Sequence, residues 1–118
     1  PMASGTLKRI AGPAYIATTA TNIYTPAAST IYTVIKHIHV ANKTNTAATF
    51  ALYVGLTGGS AGGTEIFGGN ANHSVAANAE FDATFNPGLR MADTDFLSGI
   101  AGTASALVIT VMGEQHVV

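Results

Sequence analysis

The chain has 118 residues, a formal net charge of −1 and only 9% charged residues, against about 25% in an ordinary soluble domain. This length fits one domain with a single core, and the five scattered Lys and Arg residues exclude a basic stripe for nucleic acid. Cysteine is absent, which excludes disulfides, thiolate nucleophiles and Cys-based metal centres.

The sequence carries no targeting or membrane signal. No apolar run reaches the roughly 18 residues of a membrane-spanning helix, and no basic segment precedes an apolar stretch. We therefore expect no membrane partner, and synthesis in the cytoplasm. Residues 1–118 are predicted to form one domain, in which residues 1–12 are a candidate extended N-terminal arm.

Period-two alternation of apolar residues predicts β-strands along the chain. A weak signal lies at Tyr15–Tyr24, where Thr and Ala dilute the pattern, and strong ones lie at Thr30–Ala41 and Ala48–Leu56. Asn42–Thr46 is rich in turn-forming residues, so the two strong strands are expected to pair as an antiparallel hairpin. On the first of them, one predicted face carries Tyr32, Val34, Lys36, Ile38 and Val40, and the other carries Ile31, Thr33, Ile35, His37 and His39.

The second half of the chain continues the same pattern. Thr64–Phe67 is a weak strand candidate, and alternation over residues 75–81 precedes Asn86-Pro87-Gly88, where a type II turn is predicted to reverse the chain. The last strand is predicted over Ala104–Met112, buried on both faces and hence central in a sheet. A helix over Ala71–Glu80 is disfavoured by its interleaved Asn and Val. The sequence predicts an all-β fold, a single-domain antiparallel β-sandwich or jelly roll of about seven to eight strands.

His37 and His39 are candidate metal ligands or interface residues. Because they are two residues apart on one strand, their rings would project from one face about 7 Å apart, which can bracket a metal ion. A third ligand is required, and nothing in the spacing brings His73 or His116 close. The sequence favours two imidazoles on a half-exposed face or in a subunit interface, and it predicts no metal site and no cofactor. In an interface, their protonation near about pH 6 is expected to loosen the assembly.

Glycine is concentrated between residues 55 and 69, in a predicted long surface loop. A phosphate-binding loop would need Lys after its second key glycine, but Thr64 and Glu65 follow Gly63, and no G-x-G-x-x-G occurs. Pliable loops of this kind often make contacts in assemblies. The candidate assembly contacts are Lys8, Arg9, His37, His39, Gly58, Gly59, Gly62 and Gly63.

No catalytic constellation is evident in the sequence. Asp93 and Asp95 could supply oxygen ligands to calcium, but the rest of a calcium loop is missing, so solvated turn carboxylates are favoured. Glu80 and Asp82 flank Phe81 on the polar side of a predicted strand and are interpreted in the same way, although a glycosidase pair drawn from any two strands stays open. No strand-to-helix elbow such as G-x-S-x-G occurs. The sequence therefore predicts that the protein is not an enzyme.

Two neighbouring segments resemble a pattern in small bacteriophage virion proteins. They are Ile-Tyr-Thr-Val-Ile-Lys-His-Ile-His-Val-Ala-Asn at residues 31–42 and Phe-Ala-Leu-Tyr-Val-Gly at residues 50–55, joined by an Asn/Thr-rich turn. In those proteins an aromatic-led strand that ends in such a turn is followed by a second apolar strand. The resemblance implies a capsid decoration or tail accessory protein, a β-sandwich that assembles in copies, often as trimers, and has no catalytic residues.

Taken together, these patterns predict a structural component of a bacteriophage virion, first of all a capsid decoration (cement) protein that stabilises the shell through oligomeric contacts. The expected partners are other copies of the chain and the major capsid protein or tail proteins, and the expected location is the virion. Low charge favours close packing, and free strand edges invite pairing with neighbours. The alternative is a tail accessory or receptor-binding module that recognises carbohydrate, with Tyr15, Tyr24, Tyr32 or Tyr53 as stacking platforms.

Overall fold

The computed structural model of the chain describes residues 7–55, 63–67 and 73–117. Within these ranges the chain forms nine β-strands and no helix, which confirms the predicted all-β fold, and it offers no helix that could cross a membrane. The strands are β1 Lys8–Tyr15, β2 Thr21–Tyr24, β3 Thr30–Asn42, β4 Ala48–Gly55, β5 Thr64–Glu65, β6 His73–Val75, β7 Glu80–Ala92, β8 Phe96–Ala101 and β9 Leu107–Val117.

The strands form two antiparallel sheets that pack face to face as a β-sandwich. The four-stranded sheet has the order β1-β9-β3-β7, and the five-stranded sheet has the order β2-β8-β4-β5, with β6 also paired to β4. One edge of β4 pairs with β8, so β5 and β6 lie in succession along its other edge, with Glu65 opposite Tyr53 and His73 opposite Phe50. The two short strands therefore occupy one position, and each sheet has four strand positions.

The segment between β3 and β4 crosses from one sheet to the other instead of closing a hairpin. The predicted pairing of these two strands is wrong, because β3 lies in the four-stranded sheet and β4 in the five-stranded sheet. Asn42 is buried and fixes the crossing, since its Nδ2 donates to the carbonyl oxygens of Thr46 at 2.9 Å and Val75 at 3.0 Å. Its Oδ1 accepts the backbone N–H of Thr44. Turn-forming residues bend the chain locally, but long-range burial decides which sheet the next strand joins.

A β-bulge between Ile35 and His37 divides β3 into two halves. The strand predicted at Thr30–Ala41 is confirmed, but its single alternation is wrong, because the bulge exchanges the two faces halfway along. Ile35 points into the core before the bulge, and Ile38 and Val40 point into it afterwards. As a result, His37 lies on the outer face of the sheet.

Residues 85–88 form a larger irregularity in β7, opposite the bulge in β3. The flanking pairs are Ile35 with Leu89 and His37 with Thr84, so four residues of β7 lie opposite the single residue Lys36. The predicted reversal at Asn86-Pro87-Gly88 is wrong, because β7 continues through it as one strand. Pro lacks an N–H group and Gly88 has a φ of +147°, a combination that suits an edge bulge as well as a turn.

The core lies between the sheets, and β9 is central in the four-stranded sheet, as predicted. This strand begins at Leu107 rather than Ala104 and extends to Val117. Ile109 and Val111 are fully buried, whereas Val108 on the other face is half-buried, so only one face of the strand belongs to the core. The largest fully buried side chains are Ile16, Ile35, Ile38, Phe50, Leu52, Met91, Leu97, Leu107 and Ile109.

The two edges of the four-stranded sheet, β1 and β7, are both irregular. β1 contains Pro13 and two register shifts against β9, and β7 contains Pro87 and its four-residue irregularity. Of the candidate arm over residues 1–12, residues 8–12 belong to β1, and residues 1–6 lie outside the described part of the chain. Proline and bulges on an edge strand hinder pairing with another strand.

Candidate functional site

The outer face of the four-stranded sheet, on the side away from the core, brings together charged and aromatic side chains of β3, β7 and β9. The bulge described above divides this face into two parts. The first part, the histidine cluster, consists of His37, His39, Glu80 and Asp82. The second part, the basic cleft, is lined by Tyr32, Val34, Lys36, Pro87, Gly88, Arg90, Glu114 and His116.

In the histidine cluster, the imidazoles of β3 contact the carboxylates of β7. Both His37 Nε2 and His39 Nδ1 contact Oδ1 of Asp82, at 3.0 Å and 2.6 Å, and His39 Nε2 contacts Oε1 of Glu80 at 3.0 Å. The pairing follows from the register, because His39 lies directly opposite Asp82. One oxygen of each carboxylate in the cluster thus lies within hydrogen-bond distance of an imidazole nitrogen.

These contacts have an electrostatic consequence for Asp82. The hydrogen bond from His39 lowers the pKa of Asp82 below its usual value, the small desolvation of the carboxyl opposes this, and the charges of the two histidines with the hydrogen bond from His37 add to the lowering. Asp82 therefore stays ionised at pH values where an isolated aspartate begins to bind a proton. Its carboxylate is exposed, and water screens the interaction.

The cluster does not form a metal site. Among the described residues, no three His, Asp or Glu side chains are arranged to hold a metal ion. His73 is half-buried against aromatic rings, with its centroid 4.4 Å from that of Phe81, and His116 lies in the basic cleft. The two further histidines are thus apart from His37 and His39, which lie on one face as the sequence indicated.

The basic cleft is built around Tyr32, which lies on the central strand of this part of the face. The His116 ring on β9 stacks on Tyr32 with centroids 4.3 Å apart and planes 17° from parallel, and the Arg90 guanidinium carbon on β7 lies 4.3 Å from the Tyr32 centroid. Because β7 and β9 flank β3 on opposite sides, the tyrosine ring is held between a cation and an imidazole. This arrangement fixes the position of Arg90.

The hollow beside this stack has a volume of about 340 Å³. Arg90, Val34 and Glu114 lie in one row across three strands, so the ends of the row are about 10 Å apart and Val34 forms the floor. At the side of the hollow, Lys36 Nζ donates to the carbonyl oxygen of Pro87. The cleft therefore has an apolar floor between charged walls.

The charges of the cleft are unevenly paired. Glu114 contacts His116 Nε2 at 3.4 Å, whereas within the described residues neither Arg90 nor Lys36 has a carboxylate partner. Nδ1 of His116 is buried and has no hydrogen-bond partner among the described residues, which costs free energy. Unsatisfied polar groups of this kind are expected where function competes with stability.

No protein-family model matches the sequence of this chain, and no curated protein matches it at a significant level. The resemblance of residues 31–55 to virion proteins therefore stays a prediction, and the function has to be inferred from the fold and from this face.

The other candidate contact residues are dispersed over the molecule. Lys8 and Arg9 are exposed on the edge strand β1, where Lys8 Nζ donates to Oε1 of Gln115 at 3.0 Å. Gly63 directly precedes β5, and the remaining candidates Gly58, Gly59 and Gly62 lie outside the described residues. Among the candidates that the structure describes, it brings His37 and His39 together on the outer face and places Lys8 and Arg9 on the edge strand β1.

The predicted turn carboxylates and stacking tyrosines have different outcomes. Asp95 Oδ2 accepts the backbone N–H of Ala92 at 2.9 Å, as expected for a turn carboxylate. Tyr24 is buried, and its hydroxyl group hydrogen-bonds Thr33 at 2.8 Å across the two sheets, so it cannot stack on a sugar. Tyr15 is 54% exposed and remains available.

Sequence reasoning missed the basic cleft as a site. Its members come from three strands that are distant in the chain, and only the register places Arg90 and His116 on either side of Tyr32. The alternation of Tyr32 with Val34, and of Glu114 with His116, was a signal that these residues share an outer face. No sequence signal indicated which strands would be neighbours.

Proposed function

We propose that this protein is a structural component of a bacteriophage virion, first of all a capsid decoration protein that stabilises the shell through contacts with other copies and with the major capsid protein. The strand order supports this proposal more than any other observation. If β5 and β6 are counted as one position, the orders of the sheets become 1-8-3-6 and 2-7-4-5. This is the order of a jelly roll, an architecture of viral capsid and lectin domains.

The surface also supports a role in assembly. The net charge of −1 and the low content of charged residues leave little repulsion between copies. Two large apolar side chains near the ends of β1 are exposed, Leu7 at 63% and Tyr15 at 54%. Single exposed apolar residues are common, but on a nearly uncharged surface they favour contact with a partner.

The irregular edges suggest how such an assembly would be made. Pro13 in β1 and Pro87 in β7 each accompany a bulge, which hinders the addition of a further strand to the four-stranded sheet. The proposed contacts therefore use faces and loops of the sandwich, and strand pairing between subunits is disfavoured at these two edges.

The experiment is a measurement of the native mass of the full chain, followed by co-sedimentation with shells of the virus that carries this sequence. We expect a defined oligomer, with trimers among the expected forms, and saturable binding to the shell. A monomer at micromolar concentration that does not co-sediment would contradict the proposal. Labelling of intact particles separates decoration of the head from the alternative of a tail accessory protein.

The same assay tests the predicted role of the histidines in the interface. Native mass measured at pH 5 and at pH 8 is expected to show loosening at the lower pH if His37 and His39 lie between subunits. The matched variants are His37→Gln and His39→Gln, which should remove that difference. An oligomer of equal mass at both pH values would overturn this part of the proposal.

A further inference from the structure

The basic cleft has the composition of a small-ligand site, which is independent of where in a virion the protein acts. Its volume of about 340 Å³ lies at the lower end of the range for small-molecule pockets, roughly 300–1,000 Å³. Its floor is the apolar side chain of Val34, and its walls carry charged groups from three strands. Such a combination of apolar surface with a few convergent polar groups is typical of binding sites.

The two cations of the cleft are arranged to bind an anion. Arg90 is held against Tyr32 and, within the described residues, has no carboxylate partner, so its planar set of N–H donors remains available. The ammonium group of Lys36 donates to Pro87 O and keeps two further hydrogens. An arginine whose position is already fixed loses little conformational freedom when it binds a carboxylate in a bidentate manner.

Glu114 at the opposite wall restricts which anion can bind. Its carboxylate faces Arg90 across Val34 and would repel a second negative charge on the ligand, such as that of a phosphate dianion. A carboxylate group accepts hydrogen bonds and has none to donate, so it favours a ligand that offers hydroxyl groups on that side.

We propose that the basic cleft binds a sugar acid, a compact molecule with one carboxylate and several hydroxyl groups, of which a hexuronate is the simplest example. Arg90 and Lys36 bind the ligand carboxylate, and Glu114 accepts hydrogen bonds from its hydroxyl groups. Tyr32 does not stack on the sugar, because its ring is occupied by Arg90 and His116, and it acts by fixing Arg90.

The test is a titration of the full chain with glucuronate, followed by NMR chemical shifts, with glucose, acetate and inorganic phosphate as comparison ligands. We expect saturable shifts at Val34 and its neighbours with glucuronate, and binding that is about tenfold weaker or absent for the other three. Equal binding of glucose, or tighter binding of phosphate, would overturn the proposal. The methyl glycoside of glucuronate distinguishes two sources of the ligand. A site for a glycan-linked sugar acid accommodates the added methyl group, whereas a site for the free sugar acid excludes it.

Two variants and one control separate the cleft from general charge effects. Arg90→Gln is expected to weaken glucuronate binding about tenfold, and Glu114→Gln is expected to raise the affinity for acetate and phosphate relative to glucuronate. Arg9→Gln removes the same charge from the exposed edge strand β1 and should leave binding unchanged. Binding that falls equally in Arg90→Gln and Arg9→Gln would contradict a localised site. A circular dichroism spectrum with the wild-type β signature establishes that each variant is folded.

Discussion

The two parts of the outer face differ in how their charges are paired. In the histidine cluster, His37 and His39 each lie within 3.0 Å of a carboxylate of β7, so these polar groups are paired within the chain. In the basic cleft, by contrast, Arg90 and Lys36 have no carboxylate partner in the described ranges. Both parts lie on neighbouring strands and are separated by one bulge. Local register therefore decides whether a charged face is closed on itself or open to a ligand.

The largest effect should come from the core that both parts share. Ile38 lies beneath the histidine cluster and Ile35 lies beneath the cleft, and both are fully buried. We expect Ile38→Ala and Ile35→Ala each to lower the free energy of unfolding by about 2–5 kcal/mol because of the cavity left behind. Chemical denaturation measures this. Thr84→Ala, on the exposed side of β7, is the control and should change stability by less than about 0.5 kcal/mol. A similarly small loss for Ile38→Ala would contradict its place in the core.

The irregularity of β7, which lies opposite the bulge that separates the two parts, can be altered at Gly88. Gly88→Ala should lower the free energy of unfolding by about 1–3 kcal/mol, because φ is +147° there and the added Cβ would strike Cγ1 of Val34. Thermal unfolding measures the change, with Asn86→Ala in the same exposed segment as control. If both variants unfold at the same temperature as the wild type, the irregularity in β7 does not depend on glycine.

A smaller effect is expected from the aromatic ring that supports the cleft. Tyr32→Leu removes the stack with His116 and the contact with Arg90, and should lower the free energy of unfolding by about 1 kcal/mol. It should also weaken glucuronate binding without any change of charge. Tyr15→Leu replaces an exposed tyrosine and should do neither. Unchanged affinity for glucuronate in Tyr32→Leu would show that Arg90 does not need the Tyr32 ring to hold it in position for binding.

The smallest effect concerns pH and the closed part of the face. The pKa of Asp82 is lowered in the folded state, so its contribution to stability is present above the unfolded pKa, near 3.8, and is lost as the pH falls through the lower folded value. Unfolding measured from pH 2 to pH 6 should therefore show a steeper acid loss for the wild type than for Asp82→Asn. Asp93→Asn, in an exposed turn, should retain the wild-type slope. Parallel profiles for wild type and Asp82→Asn would indicate that the histidine contacts add no stability.

The two strongest strands could be predicted from the sequence because alternation is a local signal. Alternation predicted strands at residues 30–41 and 48–56, because alternate side chains of a half-buried strand face the core, and strands are observed at Thr30–Asn42 and Ala48–Gly55, with residue 56 outside the described part of the chain. By contrast, β1 and β8 were not predicted, and the alternation over residues 75–81 is interrupted by a turn between β6 and β7.

The turn residues at 42–46 and 86–88 were also recognised, but the hairpin predicted at the first and the chain reversal predicted at the second are both wrong. A turn motif indicates that the backbone can bend. It does not indicate whether the chain then crosses to the other sheet or continues in the same strand past a bulge.

The sequence by itself determined an all-β chain with a nearly uncharged surface, because composition and period-two alternation need no knowledge of distant contacts. Only the tertiary structure decided which strands are neighbours, and therefore that His39 meets Asp82 and that Tyr32 lies between Arg90 and His116. The physical reason is that strand pairing joins backbone groups far apart in the chain. A shift of one residue in register, such as the bulge in β3, moves every following side chain to the opposite face.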